Sequence, residues 1–444
     1  MIHNAANPGT PHPVDILRFS TCGSVDDGKS TLIGRLLYDS KSLMEDQVEA
    51  LERSADLTGG GEINLANLTD GLRAEREQGI TIDVAYRYFA TPRREFIVAD
   101  TPGHVQYTRN MITGASTANL AVVLIDARAG VSEQSRRHAC IAALLRIPHL
   151  VVAVNKMDLV GWSEERFDEI RDDFEQFLPR LEIKDVKFIP ISALDGDNVV
   201  VRSARTPWYP GPTLLSHLET VHIASDWNLG GLRLPVQWIN RPNQPADSQL
   251  HDFRGCSGQI AGGIVRRGQR VAVMPAGLCT SVREIRLGDT QFEEAFCPQS
   301  VTVVLEDDLD VSRGDMIIGL DDRPGAATDL RARICWMRRQ PLLSGARFLL
   351  KHTSLTTPAV VSAIEHRIDI ATLEPAPAPP ELGLNDLGEI RLRTARPIVF
   401  DAFATNRLTG SFILIEEGTN ATVAAGMLLP PAEVVPLPDA GYSI

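Results

Sequence analysis

An α/β layer domain with a mostly parallel sheet, followed by two all-β barrels, is the fold class the sequence predicts, on three observations. Up to about residue 220, apolar runs of strand length alternate with amphipathic segments of helix length, as in sheets covered by helices on both faces. After Trp227 the texture changes to short alternating or β-branched runs punctuated by Gly and Pro, the mark of all-β architecture. The third observation is length: 444 residues exceed a single core and, at roughly 150 residues per domain, allow two to four domains.

The strand candidates of the first part are ILRFSTCG from Ile16, AYRYFA from Ala85, EFIVAD from Glu95, LAVVLID from Leu120, HLVVAVN from His149 and VKFIPI from Val186. Only Thr91 to Arg94 separate the second from the third, too few residues for a crossover, so these two are predicted to form an antiparallel hairpin within the otherwise parallel sheet. The polar segment Ser40 to Gln78 carries Gly59 to Gly61 and shows no clear period; it is expected to be mobile.

The first barrel is predicted from LRLPVQWI, SGQIAGGIV, QRVAVMP, SVREIRL, SVTVVLE and DMIIGL, and RPGAAT (323–328) is read as a turn-rich junction. LRARICWM, ARFLLKH, AVVSAIEHRI, GEIRLRT, IVFDAF and SFILIEE predict the second barrel, with the Pro-rich EPAPAPPE (374–381) as a loop excursion inside it. The expected domains are therefore 1–225, 232–325 and 330–430, with 431–444 a loosely held tail.

Composition narrows the function classes. With 43% hydrophobic and 23% charged residues the chain is an ordinary globular protein. Its richest apolar stretch, ACIAALLRIPHLVVAV, is broken by Arg146, Pro148 and His149, so no membrane helix is expected. The start, MIHNAANPGTPHPVD, has neither a basic nor an apolar leader region, which points to the cytoplasm. A net charge of −13 disfavours nucleic acid and anionic membranes as partners. The six cysteines form no CxxC pair, so neither a zinc site nor a disulfide framework is suggested.

The chemistry starts at Gly23-Ser24-Val25-Asp26-Asp27-Gly28-Lys29-Ser30-Thr31, which fits G-x-x-x-x-G-K-[ST] between a predicted strand and a helical pattern. Gly23 and Gly28 let the backbone curl so that its N–H groups face phosphate oxygens, and the helix N-terminus adds a favourable dipole. Lys29 supplies a cation between β- and γ-phosphates, and the Ser30 hydroxyl is a Mg²⁺ ligand. Asp100 opens DTPGH; its carboxylate can hold Mg²⁺ through water, and the Gly103 N–H can sense the γ-phosphate. Thr81, in EREQGITID, is the candidate second hydroxyl ligand.

Asn155-Lys156-Met157-Asp158 follows the fifth strand candidate. The Asp158 carboxylate can accept from both the ring N–H and the exocyclic amine of guanine, a match adenine does not offer, and the Lys156 stem can lie along the base. Ser192-Ala193-Leu194 follows the sixth, where a backbone N–H can meet the guanine O6. These elements appear in the order, and at the strand ends, that a GTP- and GDP-binding P-loop GTPase domain needs.

GSVDDGKST, GLRAEREQGITID, DTPGHVQYTRNMITGAS, NKMD and SAL resemble the translational GTPase superfamily, whose members follow the GTP-binding domain with two β-barrels. Within it, VDDGKSTLIGRLLYDSK, LTDGLRAEREQGITIDVAYRYF, FRGCSGQIAGGIVRRGQRVAV, LEDDLDVSRGDMI, HRIDIATLE and FILIEEGTNATVAAGM resemble the large-subunit family of bacterial sulfate adenylyltransferase, from about Leu17 to Met427. The resemblance implies that Lys29, Ser30, Thr81 and Asp100 serve phosphate and Mg²⁺. It makes His104 the residue orienting the attacking water, with Val25 and Ile80 as apolar neighbours. It also implies a separate small catalytic subunit as partner, whose adenylyl transfer from ATP to sulfate is coupled to GTP hydrolysis on this chain.

Elongation factors usually carry His where this loop has Ser24 and Asp27, a departure that argues against the alternative of an aminoacyl-tRNA carrier. A free-standing regulatory GTPase would leave two barrels idle. Some relatives continue into an adenylylsulfate kinase domain, but Lys184, Lys187 and Lys351, the lysines beyond Lys156, lie in no GK[ST] context, so kinase activity is not expected of this sequence.

Overall fold

The computed structural model describes residues 16–41, 65, 83–103, 108–181, 183, 185–223, 228–241, 253–288, 290–369, 374–377 and 379–430. Outside these lie Ile80, Thr81, His104, the tail 431–444 and all of the expected mobile segment except Ser40, Lys41 and Leu65. The chain divides into two compact units, one reaching to Ile223 and the other beginning at Ala224.

The first unit is built on a six-stranded sheet in the order β2-β3-β1-β4-β5-β6. Its strands are β1 (Ile16–Cys22), β2 (Ala85–Ala90), β3 (Glu95–Asp100), β4 (Leu120–Asp126), β5 (His149–Asn155) and β6 (Asp185–Pro190). β2 and β3 pair antiparallel, as the four-residue separation demands, and every other pairing is parallel. β4 and β5 are buried at every position, which explains why LAVVLID and HLVVAVN do not alternate. Phe89 and Phe96 stack with centroids 4.6 Å apart, and Phe19 meets both edge-on.

Helices α1 (Lys29–Asp39), α2 (Thr108–Ala115), α3 (Glu133–Leu144), α4 (Glu164–Phe177) and α5 (Leu214–Thr220) connect or flank these strands. Ser132, Ser163 and Thr213 cap α3, α4 and α5, each side-chain oxygen accepting from the backbone N–H three residues on. α4 buries Phe167, Ile170, Phe174 and Phe177, one stripe at helical spacing, and leaves its acidic face in water. At the far end of α5 the buried Arg94 guanidinium donates to the carbonyls of Leu218 (2.9 Å) and Val221 (2.8 Å), satisfying acceptors a helix end leaves open.

The second unit holds two β-barrels. In the first, strands Arg233–Pro235, Met316–Gly319, Arg270–Met274, Leu278–Leu287, Ser300–Leu305 and Gly255–Gln259 pair in turn, and the Arg233–Gly262 bridge closes the ring. In the second, Arg347–His352, Ser411–Ile415, Thr422–Leu428, Gly325–Trp336, Leu387–Phe400 and Leu355–Ile368 pair in turn, and the last returns to the first. The rings enclose cores around Leu234, Val271 and Ile317 and around Trp336, Leu350 and Ile390.

Five local readings are corrected. RPGAAT is not simply a turn: Gly325 begins a strand that pairs from Gly325–Phe400 onward, because its small residues fit a ladder against apolar partners. GEIRLRT and IVFDAF form one strand, since Pro397 falls beside the register shift between Ala327 and Asp329, where no ladder N–H is required. LRLPVQWI and SGQIAGGIV each divide in two, and EPAPAPPE contributes short pairings at Pro375–Ala376 and Glu381–Leu382.

Candidate nucleotide-binding site

β1 lies between β3 and β4, so the connections leaving its two neighbours diverge at its carboxyl end, the place where open α/β sheets bind ligands. There the chain leaves Cys22, turns through Gly23 to Gly28 and enters α1. Gly28 has φ 92°, and a Cβ on it would stand 2.5 Å from Asn155 Nδ2, so both conformation and space demand glycine. No side chain caps α1, which leaves its opening N–H groups for an anion.

Lys29 is buried, and its ammonium donates to the carbonyls of Gly23 (3.0 Å) and Ser24 (2.7 Å), curling over the loop it springs from. Burial pushes its pKa down, with Asp100 and Asp27 opposing the shift. Ser30 and Thr31 are half-buried at the start of the same helix. Asp100 is buried at the end of β3, and its carboxylate accepts from Thr21 Oγ1 at 3.5 Å.

Gly103 closes the phosphate side. A Cβ there would lie 2.4 Å from Gly23 O and 2.6 Å from Lys29 Nζ, so the DTPG backbone and the phosphate loop approach as closely as they do only with glycine. The structure also brings in residues that motif reading missed. Gln134 on α3 donates from Nε2 to Gly103 O (2.7 Å) and sits 3.1 Å from His138 Nε2, while Ser132 Oγ lies 3.1 Å from Ser24 Oγ. His138 is buried and held neutral, its pKa pushed down to about 3 by desolvation and then by Lys29 and Arg137. The only sequence signal for this group is a helix-capping Ser; nothing in a lone Gln or His foretells contact with a loop about thirty residues away.

On the base side, Asn155 is buried and joins three segments: Nδ2 donates to Asp27 O (2.7 Å) and Oδ1 accepts from Ala193 N (2.9 Å). Lys156, at φ 63°, donates to Asp26 O (2.5 Å) and pairs with Asp126 (3.0 Å). Burial alone would raise the Asp126 pKa, but hydrogen bonds from Arg128 and Lys156 outweigh it and hold the carboxylate well below its usual range. Asp158 follows in a short 3₁₀ turn, half-buried. Ser192 and Ala193 are buried and Leu194 exposed; Arg35 of α1 donates to the carbonyls of Ala193 (3.3 Å) and Leu194, and so ties this loop to the phosphate-binding helix. Arg35, Asp126 and Arg128 were also not singled out by motif reading.

The predicted site residues among those described thus lie together at the carboxyl ends of β1, β3, β5 and β6, with Val25 exposed at the mouth of the phosphate loop. His104 and Thr81 lie outside the described residues. No group of three or more His, Cys, Asp or Glu side chains able to hold a metal occurs among the described residues. The oxygen donors present, a hydroxyl at Ser30 and a carboxylate at Asp100, suit Mg²⁺, which is commonly held by one or two protein oxygens together with phosphate and water. Among the described residues no helix is long and apolar enough to cross a membrane.

Residues 14–225 match the family of the elongation factor Tu GTP binding domain, and residues 329–429 match the GTP-eEF1A C-terminal domain-like family. The chain is 54% identical over 415 residues to a bifunctional enzyme CysN/CysC of Mycobacterium tuberculosis, covering 93% of this chain and 67% of that protein. It is 52% identical over 421 residues to sulfate adenylyltransferase subunit 1 of Bacteroides fragilis, and 49% identical over 417 residues to that of Alteromonas mediterranea; each match covers 94% of this chain and 87% of the relative. A GTP-binding domain, an eEF1A-like second barrel and this identity along nearly the whole length make one assignment: the chain belongs to the sulfate adenylyltransferase subunit 1 family of GTPases.

Proposed function

We propose that this chain binds and hydrolyses GTP as the regulatory subunit of a cytoplasmic sulfate adenylyltransferase, and that a separate small subunit carries the adenylyl transfer. There a sulfate oxygen attacks the α-phosphorus of ATP, forming adenylyl sulfate and releasing pyrophosphate. The product is a high-energy anhydride, so the reaction runs uphill, and GTP hydrolysis supplies the drive. The coupling must arise from different affinities of the GTP and GDP states for the partner or its intermediates. The domains responsible are 1–225, 232–325 and 330–430.

The observation that carries this reading is the double hydrogen bond of Asn155, which links the phosphate loop at Asp27 to the base-reading loop at Ala193. Phosphate and guanine recognition are thereby one connected surface, with Asp158 as the base-reading carboxylate and the Ala193 region offering a backbone N–H to O6. Residues 23–31 cradle the phosphates, and Lys29 releases its hold on its own loop carbonyls to meet the β- and γ-phosphates. Ser30, Thr81 and Asp100 would hold Mg²⁺, which when bound neutralises charge on the phosphate oxygens. His104 orients the attacking water, and Gly103 reports the γ-phosphate.

The test is displacement of a fluorescent GDP analogue from the purified chain. GTP should displace it, ATP should not at comparable concentration, and chelation of Mg²⁺ should weaken GTP retention. Displacement by ATP as readily as by GTP would refute the guanine assignment.

A further inference from the structure

We infer that the Asp27 side chain is a positioning and affinity-setting residue: it fixes the shape of the phosphate loop from inside and, by its charge, weakens nucleotide binding. The inference rests on the reading of this loop as the GTP phosphate site.

The carboxylate of Asp27 does not point to water. The residue is 7% exposed, and its Oδ2 accepts from the backbone N–H of Ser24. In return the Asp27 N–H points to Ser24 O at 3.4 Å, so the two residues close the loop on itself. A Cβ on Gly23 would lie 3.1 Å from the same Oδ2, which places the carboxylate against the loop's first turn. The backbone of this stretch is held from outside as well, Asn155 on Asp27 O and Lys156 on Asp26 O. The side chain therefore adds the inner tie to a loop already braced on its outer rim.

The tie brings a negative charge into a pocket meant for anions. Burial pushes the Asp27 pKa up, while the Ser24 N–H and the charges of Lys29 and Lys156 oppose that shift. Lys29 in turn feels Asp27 among its stabilising neighbours. The cation that must grip the β- and γ-phosphates thus lies in the field of Asp100 and Asp27 while its ammonium donates to the carbonyls of Gly23 and Ser24. At an effective dielectric near 20, one unit charge several ångströms from a polyphosphate changes its affinity by roughly tenfold or more. A neutral residue of the same shape would retain the Ser24 tie without that repulsion.

Asp27→Asn supplies such a residue, because the amide oxygen still accepts from Ser24. The experiment measures equilibrium binding and stopped-flow release of a fluorescent GDP analogue in the full chain, wild type against Asp27→Asn and Asp27→Ala, with melting temperatures recorded for all three. The expected result is roughly tenfold tighter GDP binding and slower release in Asp27→Asn, with release in Asp27→Ala faster than in Asp27→Asn because the tie is gone. Affinity and release in Asp27→Asn within about twofold of wild type, at equal melting temperature, would overturn the inference, as would weaker binding. A wild-type chain that binds no guanine nucleotide would instead refute the function proposed for the site, so the two failures are distinguishable.

Discussion

Arg233 of the first barrel reaches Asp401 of the second in a two-pronged ion pair, Nε to Oδ2 and Nη2 to Oδ1, both at 2.9 Å. Arg233 is 3% exposed, and Thr409 Oγ1 donates to the same carboxylate at 2.6 Å. Planar guanidinium and carboxylate match in both directions, so the pair fixes orientation as well as distance. Asn406 adds a second link, donating from Nδ2 to Ala261 O at 3.0 Å. Both links lie within the unit that holds the two barrels.

Asp401→Ala removes the two-pronged partner of a buried guanidinium and leaves it the more distant Asp322 carboxylate; removing one partner of a buried pair typically costs about 3–5 kcal/mol. The melting transition of the barrels should fall by several degrees, whereas GTP affinity, set in the other unit, should change little. Differential scanning calorimetry with parallel nucleotide binding checks both, and an unchanged melting profile would contradict the role given to this pair.

Asp158→Asn should exchange guanine for xanthine preference, since an amide reverses one donor–acceptor match with the base. A charge-assisted hydrogen bond contributes about 1.5–3 kcal/mol, so GTP binding should weaken at least roughly tenfold and XTP binding should improve. Competition titrations with the two nucleotides decide it; unchanged affinities for both would remove Asp158 from base reading.

Three of the four buried histidines among the described residues make the fold sensitive to acid. Desolvation lowers the pKa of His138 to about 3 and also lowers those of His217 and His352. Each is neutral in the fold and takes up a proton more readily once unfolded, at about pH 6.5. Their stabilising effect is therefore complete above that pH and is lost as pH falls toward the folded-state values, by at most about 1.4 kcal/mol per histidine per pH unit. Melting temperature should drop between about pH 7.5 and 5.5, and His352→Gln should flatten part of that drop. A melting temperature that rises on acidification through this range would contradict the assignment.

His104→Ala should bind GTP nearly as well as the parent chain and hydrolyse it about 10²- to 10⁴-fold more slowly, the range a positioning or proton-transfer residue supplies. Single-turnover hydrolysis with bound GTP is the measurement. A rate within about threefold of the parent would remove His104 from hydrolysis.

The layer architecture was legible because β4 and β5 are apolar at every position and because four residues between AYRYFA and EFIVAD permit only a hairpin. The phosphate and base motifs were legible because each is a short local segment at a strand end. What the sequence concealed is contact at long range. Gln134 on Gly103 O, Arg35 on the Leu194 carbonyl and Lys156 on Asp126 join segments whose sequence separation carries no periodic signal. In the barrels, turn chemistry misled at Gly325 and Pro397, since small residues and proline are tolerated in a strand where a bulge or an apolar partner accommodates them.

The coupling of GTP hydrolysis to adenylyl transfer is the central claim, and a four-way assay tests it most directly. This chain, the small subunit, GTP and sulfate are omitted in turn from a mixture containing ATP, and both GTP hydrolysis and adenylyl sulfate are followed. Positioning dominates phosphoryl transfer, so a GTPase tied to another reaction should remain incompletely assembled until its partner engages. The predicted result is slow GTP hydrolysis and no adenylyl sulfate from this chain alone, faster hydrolysis with the small subunit, ATP and sulfate present, and product accumulating beyond the yield reached without GTP. Adenylyl sulfate formed by this chain by itself, or a GTPase rate indifferent to the partner, would contradict the account.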